Sequence, residues 1–127
     1  MESQSVVILS YLCDNVAMSV HERIIRTYVA ANGQAPFERW FDALRDKQTK
    51  ARILARIDRL RLGNFGDCRS IGGGVYELRI HTGPGFRVYG SHIVLLLCGG
   101  DKGSQARDIA NAQQYWQEHQ QNDNKEL

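Results

Sequence analysis

The 127-residue sequence lacks the signatures of several protein classes. It has three cysteines, Cys13, Cys68 and Cys98, and no two of them form a CxxC pair. Their odd number and wide spacing argue against a disulfide framework and a zinc site, and they favour a cytoplasmic protein in a reducing environment. The four histidines also show no HxxxH or similar spacing, so we expect neither a metal site nor a cofactor.

Long apolar runs are also missing. The apolar stretch near the amino terminus, VVILSYLC, is too short to span a bilayer, so we expect no membrane partner. No Lys or Arg precedes this stretch, which therefore lacks the basic region of a secretory signal. We interpret residues 1–20 as an amino-terminal extension of uncertain status, residues 21–119 as one domain, and residues 120–127 as a polar tail.

The net positive charge is small, but the basic residues are unevenly distributed. The formal net charge of +2 is too small to indicate a nucleic-acid-binding protein by itself. Between Arg45 and Leu62, however, seven Lys or Arg residues face two Asp residues, which leaves the rest of the chain at −3. This asymmetry indicates one basic face, although a solvated helix flank without a ligand explains it equally well.

The first half of the domain predicts one strand followed by two helices. Residues 24–29 are β-branched and aromatic, which favours a strand. Pro36 suits the start of a helix, and Asp46 or Thr49 caps a second helix that ends near Leu62. The expected inward-facing residues of these two helices are Phe37, Trp40, Phe41, Leu44, Ile53, Leu54, Ile57 and Leu60.

The second half predicts three more strands and a last helix, which gives an α+β domain with a mainly antiparallel sheet. Residues 75–80 alternate in polarity, so we expect a half-buried strand whose exposed face carries Val75, Glu77 and Arg79. Residues 86–89 form the next strand, and the apolar run 93–97 predicts a strand covered on both faces. The inward side of the last helix is formed by Ala106, Ile109, Ala112 (or Gln113) and Trp116.

Arg79 and Arg87 lie on consecutive strands, where a hairpin can bring them onto one face. Two neighbouring arginines need an anion or a carboxylate between them, so they predict either a phosphate clamp or a surface salt bridge with Glu77. His81, near the turn, could exchange protons at neutral pH or simply be solvated.

The loop GGDKGS joins the last strand to the last helix. It lacks the GxxxxGK[ST] spacing, which excludes a P-loop NTPase. Helix amides and Lys102 could nevertheless bind an anion, and Asp101 could be a general base or a helix cap. The candidate catalytic residues are therefore Arg79, His81, Arg87, Asp101 and Lys102.

Two segments, VYELRIHTGPGFRVY and IVLLLCGGDKGSQARDI, with RILARIDRLRLGNFGD upstream, closely resemble the RelE/ParE superfamily of toxins. The resemblance is strongest to the HigB-like addiction-module killer proteins and covers about Ile24 to Glu118. It implies a RelE-like fold, in which two N-terminal helices pack on a small twisted antiparallel sheet with a C-terminal helix. It also implies a type II toxin–antitoxin role: the toxin cleaves mRNA on the ribosome without a metal, and a cognate helix-turn-helix antitoxin silences it.

By position, Arg87 matches the family's strand arginine that binds the scissile phosphate, and Arg79 and Lys102 match further cations of that site. Where some relatives have a carboxy-terminal tyrosine this chain has Asp108, which leaves the acid and the base open. The alternatives are a ParE-like, non-enzymatic inhibitor of DNA gyrase and an inactive antitoxin-binding remnant. The expected RNA-binding residues are Arg52, Arg56, Arg59, Lys102 and Gln105.

Overall fold

The computed structural model describes residues 24–92 and 94–126, and for residues 123–126 it describes the backbone only. The predicted extension, residues 1–20, lies outside this range. Five strands form one sheet: β1 Arg26–Thr27, β2 Cys68–Gly72, β3 Val75–Ile80, β4 Phe86–Ser91 and β5 Leu95–Gly100. The α-helices are α1 Pro36–Ala43, α2 Lys47–Arg61 and α3 Gln105–Glu126, and a 3₁₀ turn, Lys102–Ser104, precedes α3. The predicted α+β class is confirmed.

The strand order is β1-β5-β4-β3-β2, so the last four strands form a meander and β1 adds to its far edge. The meander pairs are antiparallel, and β1 runs parallel to β5. In this register Glu77 lies opposite Arg69 on β2 and opposite Tyr89 on β4, while Arg79 lies opposite Arg87. Because side chains alternate between the two faces, these five residues share one face of the sheet.

Helices cover both faces of the sheet. On one face, Phe37 of α1 and Ile53 and Leu60 of α2 form a core with apolar residues of β3, β4 and β5. On the other face, Ala112 and Trp116 of α3 pack against a second apolar cluster. The strand residues of the first core are Leu78, Ile80, Val88 and Leu96, and those of the second are Val75, Tyr89, Leu95, Leu97 and Cys98.

The face of β3 that we predicted to be exposed is buried, because α3 covers it. Val75 and Glu77 are both 0% exposed. Sequence alternation cannot distinguish a polar face that meets water from one that lies beneath a helix, since both look amphipathic. The prediction of an exposed charged face was therefore wrong, and the buried Glu77 on this face is the centre of the candidate site.

The adjacent glycines at the end of β5 allow helices to approach both faces. A Cβ atom on Gly99 would overlap the indole of Trp40, and one on Gly100 would overlap the carboxylate of Asp108. These two contacts bring α1 and α3 close to the same strand end. The GG pair in this motif therefore serves packing rather than a phosphate-binding loop.

Several local predictions differ from the structure. The first strand is shorter than residues 24–29, and β2 falls in a segment with no strand pattern because it is a largely exposed edge strand with a bulge. Leu54 is 53% exposed rather than inward-facing. Cys98 is a free, buried thiol and Cys68 is disulfide-bonded, which the cysteine spacing did not indicate. None of the helices described is both long and apolar enough to cross a membrane.

Candidate functional site: an arginine cluster around a buried carboxylate

Glu77 is the centre of the site. Its Oε1 atom accepts hydrogen bonds from Nε of Arg69 at 2.9 Å and Nε of Arg79 at 3.1 Å. Its Oε2 atom accepts from the Tyr89 hydroxyl and from Nε2 of Gln105, each at 2.9 Å. Three strands and the first residue of α3 therefore converge on one carboxylate, as a charge buried away from water requires.

Burial alone would raise the pKa of Glu77, but the four hydrogen bonds outweigh it. The donors Gln105, Tyr89, Arg69 and Arg79 hold the pKa at about 2. The pKa of Tyr89 is raised, first by burial and then by its bond to the Glu77 carboxylate. At neutral pH the site therefore contains an ionised glutamate and a protonated tyrosine.

Arg87 completes the cluster from β4. Its Nη1 donates to the Gly85 carbonyl at 2.7 Å, and its Nε lies 3.8 Å from Oε2 of Glu77. The side chain is only 11% exposed, and Nε has no hydrogen-bond partner among the described residues. A buried donor without an acceptor at hydrogen-bond distance is unfavourable, because its contact with water is not fully replaced.

The cluster carries surplus positive charge. Three guanidinium groups, of Arg69, Arg79 and Arg87, face the carboxylate of Glu77. The buried carboxylate of Asp108 lies beside Gly100, the residue paired with Arg87, so the local balance is about +1. Such a balance close to a low-dielectric interior favours the binding of an anion.

Two further predicted site residues, His81 and Lys102, lie at the same end of the sheet as Arg79 and Arg87. His81 follows β3 and pairs through Nε2 with Asp67 at 2.5 Å. Lys102 follows β5, and its backbone N–H reaches the Pro84 carbonyl in the turn before β4 at 3.4 Å. Because β3 and β5 run in the same direction, the residues that follow them emerge beside that turn.

Asp101, the last of the predicted catalytic residues, caps the helical turn that precedes α3. Its carboxylate accepts from the backbone N–H groups of Gly103 at 2.8 Å and Ser104 at 3.2 Å. In return the Ser104 hydroxyl accepts from the backbone N–H of Asp101, which completes a capping box. Of the two roles predicted for Asp101, the structure shows the cap. The helix amides expected to bind an anion already have this acceptor.

Two of the predicted RNA-binding residues, Arg56 and Gln105, make hydrogen bonds inside the protein. Arg56 is half-buried and donates to the carbonyls of Arg79 at 2.5 Å and Phe65 at 2.8 Å, and burial lowers its pKa. Gln105 is bound to Glu77, so it supports the cluster. Arg52 donates to the Thr82 hydroxyl at 2.8 Å. Arg52, Arg59 and Lys102 are the exposed members of the set.

Sequence reasoning missed Arg69 and Tyr89, and it underestimated Glu77. Arg69 lies in the segment where no strand was expected, so its position opposite Glu77 could not be inferred. Tyr89 followed the predicted alternation, and the register Glu77–Tyr89 could have been found by aligning the two strands across the Thr-Gly-Pro-Gly turn. Among the described residues, no group of three or more His, Cys, Asp or Glu side chains is arranged to hold a metal ion.

The chain is similar to a protein of known sequence. Over 86 residues the chain is 48% identical to an uncharacterized protein from Haemophilus influenzae, and the match covers 65% of this chain and 87% of that protein. No family model matches the chain. No solved structure matches it either.

Proposed function

We propose a function from the geometry of the site and from the resemblance of the sequence motifs. The chain belongs to the same family as the Haemophilus influenzae protein, but that protein is uncharacterized. We propose that the chain is the toxin of a type II toxin–antitoxin system, a cytoplasmic endoribonuclease that cleaves mRNA on the ribosome without a metal ion. We further propose that its fold is RelE-like and that a cognate helix-turn-helix antitoxin silences it.

The observation that carries this proposal is the cluster of three arginines with surplus positive charge on one face of the sheet. Arg79 lies directly across the strand pair, so the two guanidinium groups can hold one anion between them. Arginine suits the oxygens of a phosphodiester, since its planar fork donates two parallel hydrogen bonds.

The cleavage step needs little covalent chemistry from the protein. The ribose 2′-hydroxyl attacks the adjacent phosphorus, a new P–O2′ bond forms, and the P–O5′ bond breaks. The 2′ proton passes to a base, and the departing 5′ oxygen takes a proton from an acid. Arg79, Arg87 and Lys102 would stabilise the negative charge that builds up on the phosphoryl oxygens, which is the largest contribution in many enzymes.

His81 is the candidate for proton transfer. Asp67 binds its Nε2 and so orients the ring, and Nδ1 is the nitrogen that could exchange a proton with the substrate. A placed acid or base contributes about 10²–10⁴-fold in rate. We therefore expect loss of His81 to slow cleavage less than loss of both Arg87 and Lys102.

The test compares three forms of the protein in cells and on translating ribosomes. The double variant Arg87→Ala/Lys102→Ala should fold but neither arrest growth nor cut mRNA. The control Arg39→Ala removes an exposed arginine of α1, on the opposite side of the sheet, and should remain toxic. Full toxicity of the folded double variant would refute the proposal. A fall in DNA supercoiling with intact transcripts would instead favour a gyrase inhibitor.

A further inference from the structure

Arg69 extends the cationic cluster to the edge of the sheet. It lies on β2, the outermost strand, and its side chain is 49% exposed, compared with 34% for Arg79. Both arginines bind the same oxygen of Glu77, so their Nε atoms lie no more than about 6 Å apart. Each uses only Nε for this contact, and among the described residues the Nη donors of the two side chains have no hydrogen-bond partner, so they can serve another acceptor.

The three arginines occupy three consecutive strands. Neighbouring strands lie about 4.8 Å apart, so the backbones of β4 and β2, which carry Arg87 and Arg69, lie about 10 Å apart across the sheet. This row begins at the nearly buried Arg87 and ends at the solvent-exposed sheet edge. It therefore forms a path along which a polyanion could leave the site.

We propose that Arg69 and Arg79 form a second phosphate subsite, so that the site takes a single-stranded polynucleotide through at least two consecutive phosphates. This inference rests on the proposed function. In this arrangement Arg87 and Arg79 hold the reacting phosphodiester, and Arg69 with the outer Nη donors of Arg79 holds its neighbour. Nothing in the subsite reads a base, so it confers a requirement for chain length and not for sequence.

Neutralising Glu77 does not account for Arg69. One arginine balances one carboxylate, and Glu77 already accepts from Arg79, Tyr89 and Gln105. An arginine that is half exposed gains little from such a salt bridge, because water and ions screen it. The unused Nη donors of Arg69 are instead suited to an exposed polyanion, for which solvent-facing arginines supply most of the affinity.

The experiment measures the salt dependence of binding to a 2′-O-methyl oligoribonucleotide of about eight nucleotides, which cannot be cleaved. In Arg69→Gln, the slope of log K against log salt should fall in magnitude by about 0.7, the value for one phosphate of a single strand. Inorganic phosphate should still bind between Arg79 and Arg87, because Arg69 takes no part in that first site. The control Arg26→Gln alters an exposed arginine of β1, the opposite edge of the sheet, and should keep the wild-type slope.

The binding measurements distinguish failure of the second subsite from failure of the proposed function. If the wild-type protein binds the oligonucleotide and Arg69→Gln keeps its slope, the second subsite is refuted and the proposed function is unaffected. If Arg69→Gln also loses inorganic phosphate, there is one shared site and not two. If the wild-type protein neither binds the oligonucleotide nor cleaves mRNA on ribosomes, both proposals fail. Urea unfolding of each variant confirms that binding is measured on folded protein.

Discussion

Replacing Glu77 by glutamine should destabilise the protein by about 3 kcal/mol at neutral pH. The substitution keeps the size of the side chain but removes its charge, and it leaves three arginines facing one another with no carboxylate between them. The pKa of Glu77 lies at about 2 in the folded protein, compared with 4.5 for an unperturbed glutamate. At 1.36 kcal/mol for each pKa unit, this difference corresponds to about 3 kcal/mol. The loss expected when one partner of a buried ion pair is removed is similar, about 3–5 kcal/mol.

The pH dependence makes this prediction specific. Because the folded-state pKa is depressed, the unfolded chain takes up a proton first as the pH falls, and the contribution of Glu77 decreases from about pH 4.5 downward. It is lost once the pH passes below about 2, where both states are protonated. The difference in unfolding free energy between wild type and Glu77→Gln should therefore be full at pH 7, smaller at pH 3.5, and close to zero near pH 2.

Urea unfolding followed by circular dichroism at several pH values measures this difference directly. The control is Glu38→Gln, because Glu38 is exposed on α1 and its carboxylate accepts from the Thr27 hydroxyl. We expect the control to lose at most about 0.5 kcal/mol at any pH. The reasoning is wrong if Glu77→Gln costs less than about 1 kcal/mol at pH 7, or if its cost is the same at pH 7 and pH 3.

Two further predictions concern how the site is positioned. Gly99→Ala should cost about 1–3 kcal/mol of stability in thermal unfolding, because the added methyl group would overlap Trp40. The control Gly103→Ala, in the exposed turn before α3, should cost less. Equal losses in the two variants would contradict the packing role of Gly99. Asp101→Ala should cost about 0.5–2 kcal/mol, because the N–H groups of Gly103 and Ser104 lose their acceptor, and Asp101→Asn should recover most of that; if Asn does not, the carboxylate has another role.

Much of the fold follows from local patterns in the sequence. The aromatic stripe of α1, the Asp46 cap of α2 and the alternation in β3 depend on neighbours within a few residues, and the structure contains all three. β2 could not be predicted in this way, because its residues Cys68–Gly72 are mostly exposed and show no period. That strand exists because β3 offers it an edge, which is information carried by a distant part of the chain.

The candidate site was less predictable than the fold. Arg79 and Arg87 could be named because their strands are joined by a short turn, which restricts the register. Arg69 could not, since its strand was missed. The roles of Arg56 and Gln105 were also hidden, because a basic or polar residue on a helix looks the same whether it meets solvent or a buried carbonyl or carboxylate. Only the packing of one element on another distinguishes a solvated residue of this kind from one with an internal partner.

The buried carboxylate gives the site order at the expense of charge. An arginine loses about 2 kcal/mol of side-chain conformational freedom when it is fixed, so a ligand that had to fix two of them would bind less tightly by about 4 kcal/mol. Glu77 holds Arg69 and Arg79 in position before any anion binds, and in return it lowers the local charge from about +2 to about +1. Catalysis by fixed charges depends on donors that do not have to reorganise during the reaction. A variant with a neutral residue at position 77 should therefore attract phosphate more strongly but orient it less well. If the protein is a nuclease that works through its arginines, this substitution should reduce cleavage more than binding.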